Sequence, residues 1–222
     1  MRYPPLLVAR FLDRPNRFVA HVELGDVRET VHVCNTGRCR ELLIPGCPVH
    51  LCPSSSPGRK TAFDLVAVTR QDGSIVNIDS RAPNRLMAEW LAGQDFDLIR
   101  PEQIFGSSRL DFYLEKQGQK IFLEVKGCTL EVDGQGYFPD APTSRGARHL
   151  MELAAAAEAG HRAAVAFVIQ MNGVDSVLPH ARRDPAFAAA WDHAREKGVE
   201  FWMMLCRVEA QEIVITDRRI LS

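Results

Sequence analysis

The sequence predicts a two-part α/β protein, with a small all-β barrel of the OB type over residues 1–81 and an α/β domain over residues 82–222. Three observations predict it. Up to Asp79, short apolar stretches alternate with turn residues and no long helical period occurs. Ala82-Pro83-Asn84 then interrupts that pattern. Beyond it, helical stripes and buried-strand runs follow in the order helix, three strands, helix, strand.

In the first part, residues 6–11 and 18–22 flank the turn-forming run Asp13-Arg14-Pro15-Asn16 and read as a hairpin. Residues 30–34, 49–52 and 62–69 are three further strands. Residues 38–43, between the third and fourth strands, have helical character. Five strands with a short helix in that place fit an OB-like barrel, a fold that often holds oligonucleotides.

In the second part, residues 85–91 turn Leu86, Trp90 and Leu91 to one helical face. Strands follow at 96–99, 110–115 and 120–126, with Gly118 placed for a hairpin turn between the last two. A long helix covers 144–160, and 163–170 is a near-continuous apolar run of the buried-strand type. Pro185 after Asp184 marks a first helical position, and strands at 200–206 and 212–216 complete the domain.

The 222 residues are 46% hydrophobic and 25% charged, a globular composition rather than a fibrous or disordered one. The net charge of −1 excludes a uniformly basic nucleic-acid binder, so any anion site must be local. Residues 1–81 carry 11 Lys and Arg against 8 Asp and Glu, whereas residues 82–222 carry 16 against 20, which puts the basic excess in the barrel. No apolar run approaches the ~20 residues of a membrane span, and Met1-Arg2-Tyr3-Pro4-Pro5 does not open a signal peptide. A cytoplasmic protein with no membrane partner is expected. The cysteines at 34, 39, 47, 52, 128 and 206 form no Cys-x-x-Cys pair and read as small buried hydrophobes, in preference to a zinc site among the first four.

The chemistry-bearing residues lie in the second part. In Ile121-Phe122-Leu123-Glu124-Val125-Lys126, strand alternation sends Leu123 and Val125 to the core and puts Glu124 and Lys126 together on the other face. Asp111, between apolar Leu110 and Phe112, is set apart on the neighbouring strand, and a hairpin can bring it beside Glu124. Two adjacent carboxylates repel unless a cation joins them, and carboxylate ligands suit Mg²⁺ or Mn²⁺. Such a centre serves phosphodiester cleavage, with Lys126 positioning the attacking water or stabilising the phosphorane. A solvated cross-strand face has the same local pattern.

The order of elements around these residues resembles the PD-(D/E)XK nuclease superfamily, with its αβββαβ core. The resemblance gives Asp111, Glu124 and Lys126 the catalytic roles, the first two as metal ligands, and adds Glu89 of the first helix as a third acid. Arg109-Leu110 stands where a proline often precedes the aspartate. Downstream, Arg145, Arg148 and His149 share a stripe near the start of the long helix and suit a phosphate backbone, while Ala147, Leu150, Met151 and Ala154 form the apolar stripe. A solvated face is the alternative. Asp140 is either another site acid or a turn residue, Thr143 and Ser144 lead into the helix, and Gln170 ends a buried strand where its amide needs a partner.

Three long motifs, at residues 32–46, 123–130 and 138–150, closely resemble the SfsA family of sugar fermentation stimulation proteins over nearly the whole chain. That resemblance implies DNA binding without sequence specificity and a regulatory link to sugar, particularly maltose, metabolism. In this light Asn35-Thr36-Gly37-Arg38 is either a structural turn or, with Arg40, a phosphate-contacting loop at the barrel mouth. Arg10 and Arg17 add charge, and Tyr3 and Phe18 are either stacking platforms or core. The leading expectation is a DNA-binding protein whose second domain is a Mg²⁺- or Mn²⁺-dependent nuclease acting on single- or double-stranded DNA. The alternative is a non-catalytic DNA-binding regulator. Cutting both strands is commonly the work of dimers, which leaves a homodimer open.

Overall fold

The computed structural model describes residues 1–35, 37–54 and 58–221. Five strands form the first half: β1 (Leu7–Asn16), β2 (Val19–Leu24), β3 (Val27–Val33), β4 (Pro48–Pro53) and β5 (Phe63–Thr69). Antiparallel pairings join β1 to β2, β2 to β3, and β4 to both β1 and β5. A parallel contact between β3 and β5, with His32 opposite Asp64 and Val33 opposite Leu65, closes the ring. This is the closed five-stranded barrel of an OB domain. Alternate residues such as Ala9 and Phe11, Ala20 and Val22, and Val31 and Val33 fill its interior.

Two local expectations for the barrel are corrected. β1 runs through Asp13-Arg14-Pro15-Asn16 instead of turning there, because register shifts between Phe11 and Asp13 and between Asp13 and Asn16 bend the strand past the proline. The reversal falls at Arg17-Phe18, where the Asn16 side chain accepts the N–H groups of Phe18 and Val19. Residues 38–43 contain a turn rather than a helix: Leu42 and Leu43 bond back to the Cys39 carbonyl, and Cys39 has a φ of 45° that no right-handed helix tolerates. The apolar spacing that read as helical comes from Cys39, Leu42 and Leu43, all buried.

A short strand, β6 (Ile75–Asn77), pairs with β5 and leads into α1 (Ala82–Ala92). The Ala82-Pro83-Asn84 run expected as a break is the first turn of this helix, where the missing N–H of Pro83 has no intrahelical partner to lose. The chain continues through β7 (Leu98–Phe105), β8 (Ser108–Lys116), β9 (Gln119–Cys128), β10 (Leu130–Val132), β11 (Gln135–Phe138), α2 (Ser144–Glu158), β12 (Arg162–Ile169), β13 (Val177–Pro179), α3 (Pro185–Glu196), β14 (Glu200–Val208) and β15 (Ile213–Leu221). Six strands make one mixed sheet in the order β15-β14-β12-β9-β8-β7, with β12 parallel to both neighbours. β10, β11 and β13 form a separate small sheet whose strands are too short to register as a sequence period. Gln117-Gly118, with φ of 51° and 75°, makes the two-residue hairpin turn between β8 and β9.

The large sheet is covered on both faces. Leu86, Met87 and Leu91 of α1 pack on Leu123, Val125, Ala166 and Trp202, while Leu150 and Leu153 of α2 and Trp191 of α3 lie in the core cluster with Phe122, Val165 and Phe167. Gln170, only 1% exposed, ties the barrel to this sheet. Its Nε2 donates to Asn77 Oδ1 at 2.8 Å and to the Asp79 carbonyl at 3.1 Å, and its carbonyl accepts the Asn77 N–H at 2.9 Å.

Candidate active site

The site forms where two strands part. Pairing of β8 with β9 ends at Phe112 opposite Leu123, and from there Asp111 reaches β9 with its side chain. Its Oδ2 accepts the Val125 N–H at 2.8 Å and its Oδ1 accepts Asn84 Nδ2 of α1 at 2.8 Å. Burial and the neighbouring Glu124 charge raise the Asp111 carboxyl above its ordinary value, against the opposing pull of Val125, Asn84 and Lys126.

Glu124 sits 3% exposed on the α2 side of β9, as alternation requires. Its Oε1 accepts Lys126 Nζ at 2.5 Å and the Nδ1 of His149 from α2. Burial alone would raise this carboxyl, but the His149 hydrogen bond and the Lys126 charge together hold it below its ordinary value. Glu124 Oε2 is buried and has no hydrogen-bond partner among the described residues. A buried charged oxygen with no donor is costly, and a cation or a water hydrogen can fill that place. The donor set of Asp111 and Glu124, two hard carboxylates, therefore fits Mg²⁺ or Mn²⁺.

His149 was expected on a phosphate-binding face and lies instead inside the protein, 2% exposed. The buried stripe of α2 is Gly146, His149, Leu150, Leu153 and Ala154, rotated from the expected one, and Met151 is 46% exposed. Arg145 Nε donates to His149 Nε2 at 3.3 Å. Since a guanidinium can only donate, His149 carries its proton on Nδ1 and gives it to Glu124. Arg145 thus acts on Glu124 through the imidazole. Arg148 is exposed on the same helix.

Glu89 does not join the pair. Its carboxylate takes the Met1 ammonium at 2.7 Å. Five residues beyond Asn84, it is turned by ~140° and displaced by ~7.5 Å along α1, so the helix offers Asn84 and not Glu89 to Asp111. Nothing in local sequence marks Asn84, because Ala82-Pro83-Asn84 reads as a break rather than as a helix start.

Of the other expected residues, Arg17, Asn35, Asp140 and Thr143 frame a cleft between the two halves. Asn35 forms a turn, accepting the Gly37 N–H at 2.7 Å and donating to the Ile78 carbonyl at 2.9 Å. Thr36, expected in the same turn, lies outside the described residues. Asp140 is a turn residue set against that loop, with Oδ2 3.4 Å from the Cys39 N–H. Thr143 caps α2 by accepting the Gly146 N–H at 3.0 Å, and Ser144 is exposed at its first position. Arg38 and Arg40 are exposed, Arg17 lies over the Phe18 ring at 5.3 Å, and Arg10 is paired with Glu23 rather than available to a phosphate. Tyr3 packs inward, its hydroxyl donating to Asp79 Oδ2 at 3.2 Å. His32, Cys34 and Asp64 offer three ligand atoms within 4.8 Å of one another, but Asp64 is already bonded to the Arg59 and Arg81 guanidiniums, which compete with a metal.

Comparison with known proteins gives two family matches along the chain. Residues 12–78 match the family described as the SfsA N-terminal OB domain, and residues 81–212 match the sugar fermentation stimulation protein RE domain. The sugar fermentation stimulation protein homolog of Desulfitobacterium hafniense (strain Y51) is 45% identical over 220 residues, covering 98% of this chain and 96% of its own. That of Ruminiclostridium cellulolyticum is 46% identical over 213 residues, covering 94% of each. The structure of Pyrococcus furiosus SfsA in complex with Ca²⁺ is 32% identical, superposes with a TM-score of 0.87, and covers 98% of this chain and 96% of that one.

Proposed function

The chain belongs to the sugar fermentation stimulation protein (SfsA) family, and on that premise we propose that it is a DNA-binding, divalent-metal-dependent nuclease. The observation that carries the reading is Glu124 Oε2, a buried carboxylate oxygen without a donor, beside a second carboxylate at Asp111 and the ammonium of Lys126. The Ca²⁺ complex of the Pyrococcus furiosus relative supports a divalent-ion site in this fold.

Asp111 and Glu124 would hold Mg²⁺ or Mn²⁺. When bound, the ion offsets charge on the scissile phosphate and acidifies the attacking water. The chain's own residues do the rest. Asn84 and the Val125 N–H fix the Asp111 carboxylate, and His149 occupies Glu124 Oε1 so that Oε2 is left for the ion. Lys126, 13% exposed at its side chain, sets a positive charge where negative charge develops on the phosphorane. Exposed Arg148 on α2 and Arg38 and Arg40 on the barrel supply the phosphate contacts that hold the strand.

The test is incubation of the purified protein with labelled single-stranded, duplex and branched DNA, with and without Mg²⁺ or Mn²⁺, beside Glu124→Ala and Lys126→Ala. The expected result is metal-dependent cleavage, lost in both variants, with DNA affinity largely kept by Lys126→Ala. Binding without product on every substrate would refute the nuclease and leave the regulator.

A further inference from the structure

A cavity of about 380 Å³ opens between the barrel and the second domain. Its walls include Arg17, Asn35, Gly37 and Ser80 from the first half and Gly127, Thr129, Asp140 and Gln170 from the second. Two chain-adjacent pairs relate it to the elements that carry the carboxylates. Pro83 lines the cavity while Asn84 touches Asp111, and Gly127 lines it while Lys126 touches Glu124. The cavity therefore borders the same stretches of α1 and β9 that carry the candidate metal site, although Asp111, Glu124 and Lys126 do not line it.

The chemistry of the walls is divided. Asp140 brings a carboxylate, which repels a phosphate and accepts from an amine or ring N–H, and the buried hydroxyl of Thr129 lies nearby. Tyr137, Pro139 and Pro142 add ring surfaces suited to a flat, apolar group. Arg17 and Gly37 line both this cavity and a second one of about 420 Å³ on the barrel, where Arg38 and Arg40 are exposed. The two cavities therefore share Arg17 and Gly37 as walls, with Arg38 and Arg40 lining the second. A volume near the lower end of ligand pockets, ~300–1,000 Å³, holds one nucleoside and excludes a base pair.

Resting on the nuclease reading, we propose that this junction cavity receives the unpaired base of the nucleotide next to the scissile phosphate, and that the strand's following phosphates run over Arg17, Arg38 and Arg40. The substrate class is a single strand, or a strand end or flap that can release one base from its stack. A base held within a duplex cannot reach the cavity without being extruded. Asp140 favours bases that present an exocyclic amine over thymine, whose Watson–Crick edge carries two carbonyls beside its single N–H.

The experiment is fluorescence anisotropy of the full chain in Ca²⁺ with a labelled single-stranded oligonucleotide and the same sequence as a duplex, product formation in Mg²⁺ being followed separately. Ala141→Trp fills the cavity mouth without removing a hydrogen-bonding side chain. It is expected to weaken single-strand binding about tenfold, the worth of one stacked base, and to leave duplex binding unchanged. Arg17→Ala weakens single-strand binding and lowers the steepness of its salt dependence by about one phosphate contact. Asp140→Asn removes the preference for oligo-dC over oligo-dT. Should Ala141→Trp lose its cooperative melting, the other two variants decide. Wild-type affinity and base preference in the variants, or equal weakening for single strand and duplex, overturns the proposal. Because binding is read apart from cleavage, metal-dependent product with an indifferent cavity sinks this inference alone, whereas absent product with a cavity effect sinks only the nuclease.

Discussion

Replacing Asp111 by Asn should reverse the order of stability of the two proteins according to whether metal is present. A carboxyl whose folded pKa lies above its unfolded value stabilises the fold while protonated and loses that contribution as pH rises through the folded value. Burial and the Glu124 charge put Asp111 in this class, so at neutral pH its ionised form burdens the metal-free protein. Asparagine removes the charge and keeps the geometry. Its oxygen can still accept the Val125 N–H, and the exposed Asn84 amide can flip to accept from its NH₂. Without metal, Asp111→Asn is therefore expected to melt above wild type. With Ca²⁺ at a hundred times its Kd, wild type gains ~2.7 kcal/mol by linkage. At ~2–4 °C per kcal/mol for a chain of this size, that is a rise of ~5–10 °C. The variant, with one ligand gone and no reason to draw a cation, gains little and falls below wild type. Differential scanning calorimetry in EDTA and in a Ca²⁺ series measures both arms. A wild-type melting temperature indifferent to Ca²⁺, or a variant that gains as much as wild type, would refute the reasoning.

Three further outcomes follow from the contacts. Burial would raise the Asp64 carboxyl, but hydrogen bonds from Arg59 and His32 and the nearby charge of Arg81 hold it down at about 2, so it contributes stability above its unfolded value of ~3.9 that fades as pH falls through 2. In urea titrations Asp64→Asn should be ~2 kcal/mol less stable than wild type near pH 7, and the gap should narrow between about pH 4 and pH 2; a constant gap would count against the ion-pair origin. Gln170→Leu takes one of two donors from Asn77 Oδ1 and from the Asp79 carbonyl, which keep the N–H groups of Asp79 and Ala82, and is expected to cost ~1–2 kcal/mol, against which a loss under ~0.5 kcal/mol would show the junction relaxing around the change. His149→Gln, whose amide can still donate to Glu124, should keep more Ca²⁺ affinity by isothermal titration than His149→Phe, and equal losses would reduce His149 to packing.

How much was legible depends on whether the information was local. Asp111, Glu124 and Lys126 lie on two strands joined by a two-residue turn, and a period of two fixes which side chains share a face, so sequence alone could gather them. Helix phase was less determinate. α2 is apolar at Leu150, Met151, Leu153 and the alanines beyond, so more than one stripe can pass for the buried one, and the true stripe carries His149 inward to Glu124. On α1 the superfamily resemblance pointed to Glu89, whereas Asn84 in the first turn, read as part of a break, is the residue that meets Asp111. The bond between Gln170 and Asn77 spans 93 residues, and no window of sequence contains both ends; the amide was legible only as a buried polar group in need of a partner.

The charge count makes sense at the same level. A net charge of −1 required any anion site to be local, and the structure shows how a modest basic excess in the barrel is concentrated. Arg10 is matched by Glu23, Arg28 by Asp13, and Arg59 and Arg81 by Asp64, while Arg14 spends its donors on the carbonyls of Arg17, Asn35, Gly37 and Arg38. What those pairings leave on the second cavity is Arg17, Arg38 and Arg40, all exposed, on loops whose shape Arg14 holds from behind. Screening confines each of these charges to roughly 8–10 Å at physiological salt, so the field they make together is local. On the proposed reading, a nearly neutral protein would in this way direct a strand toward two carboxylates that otherwise repel it, with a cation standing between the carboxylates and the phosphate.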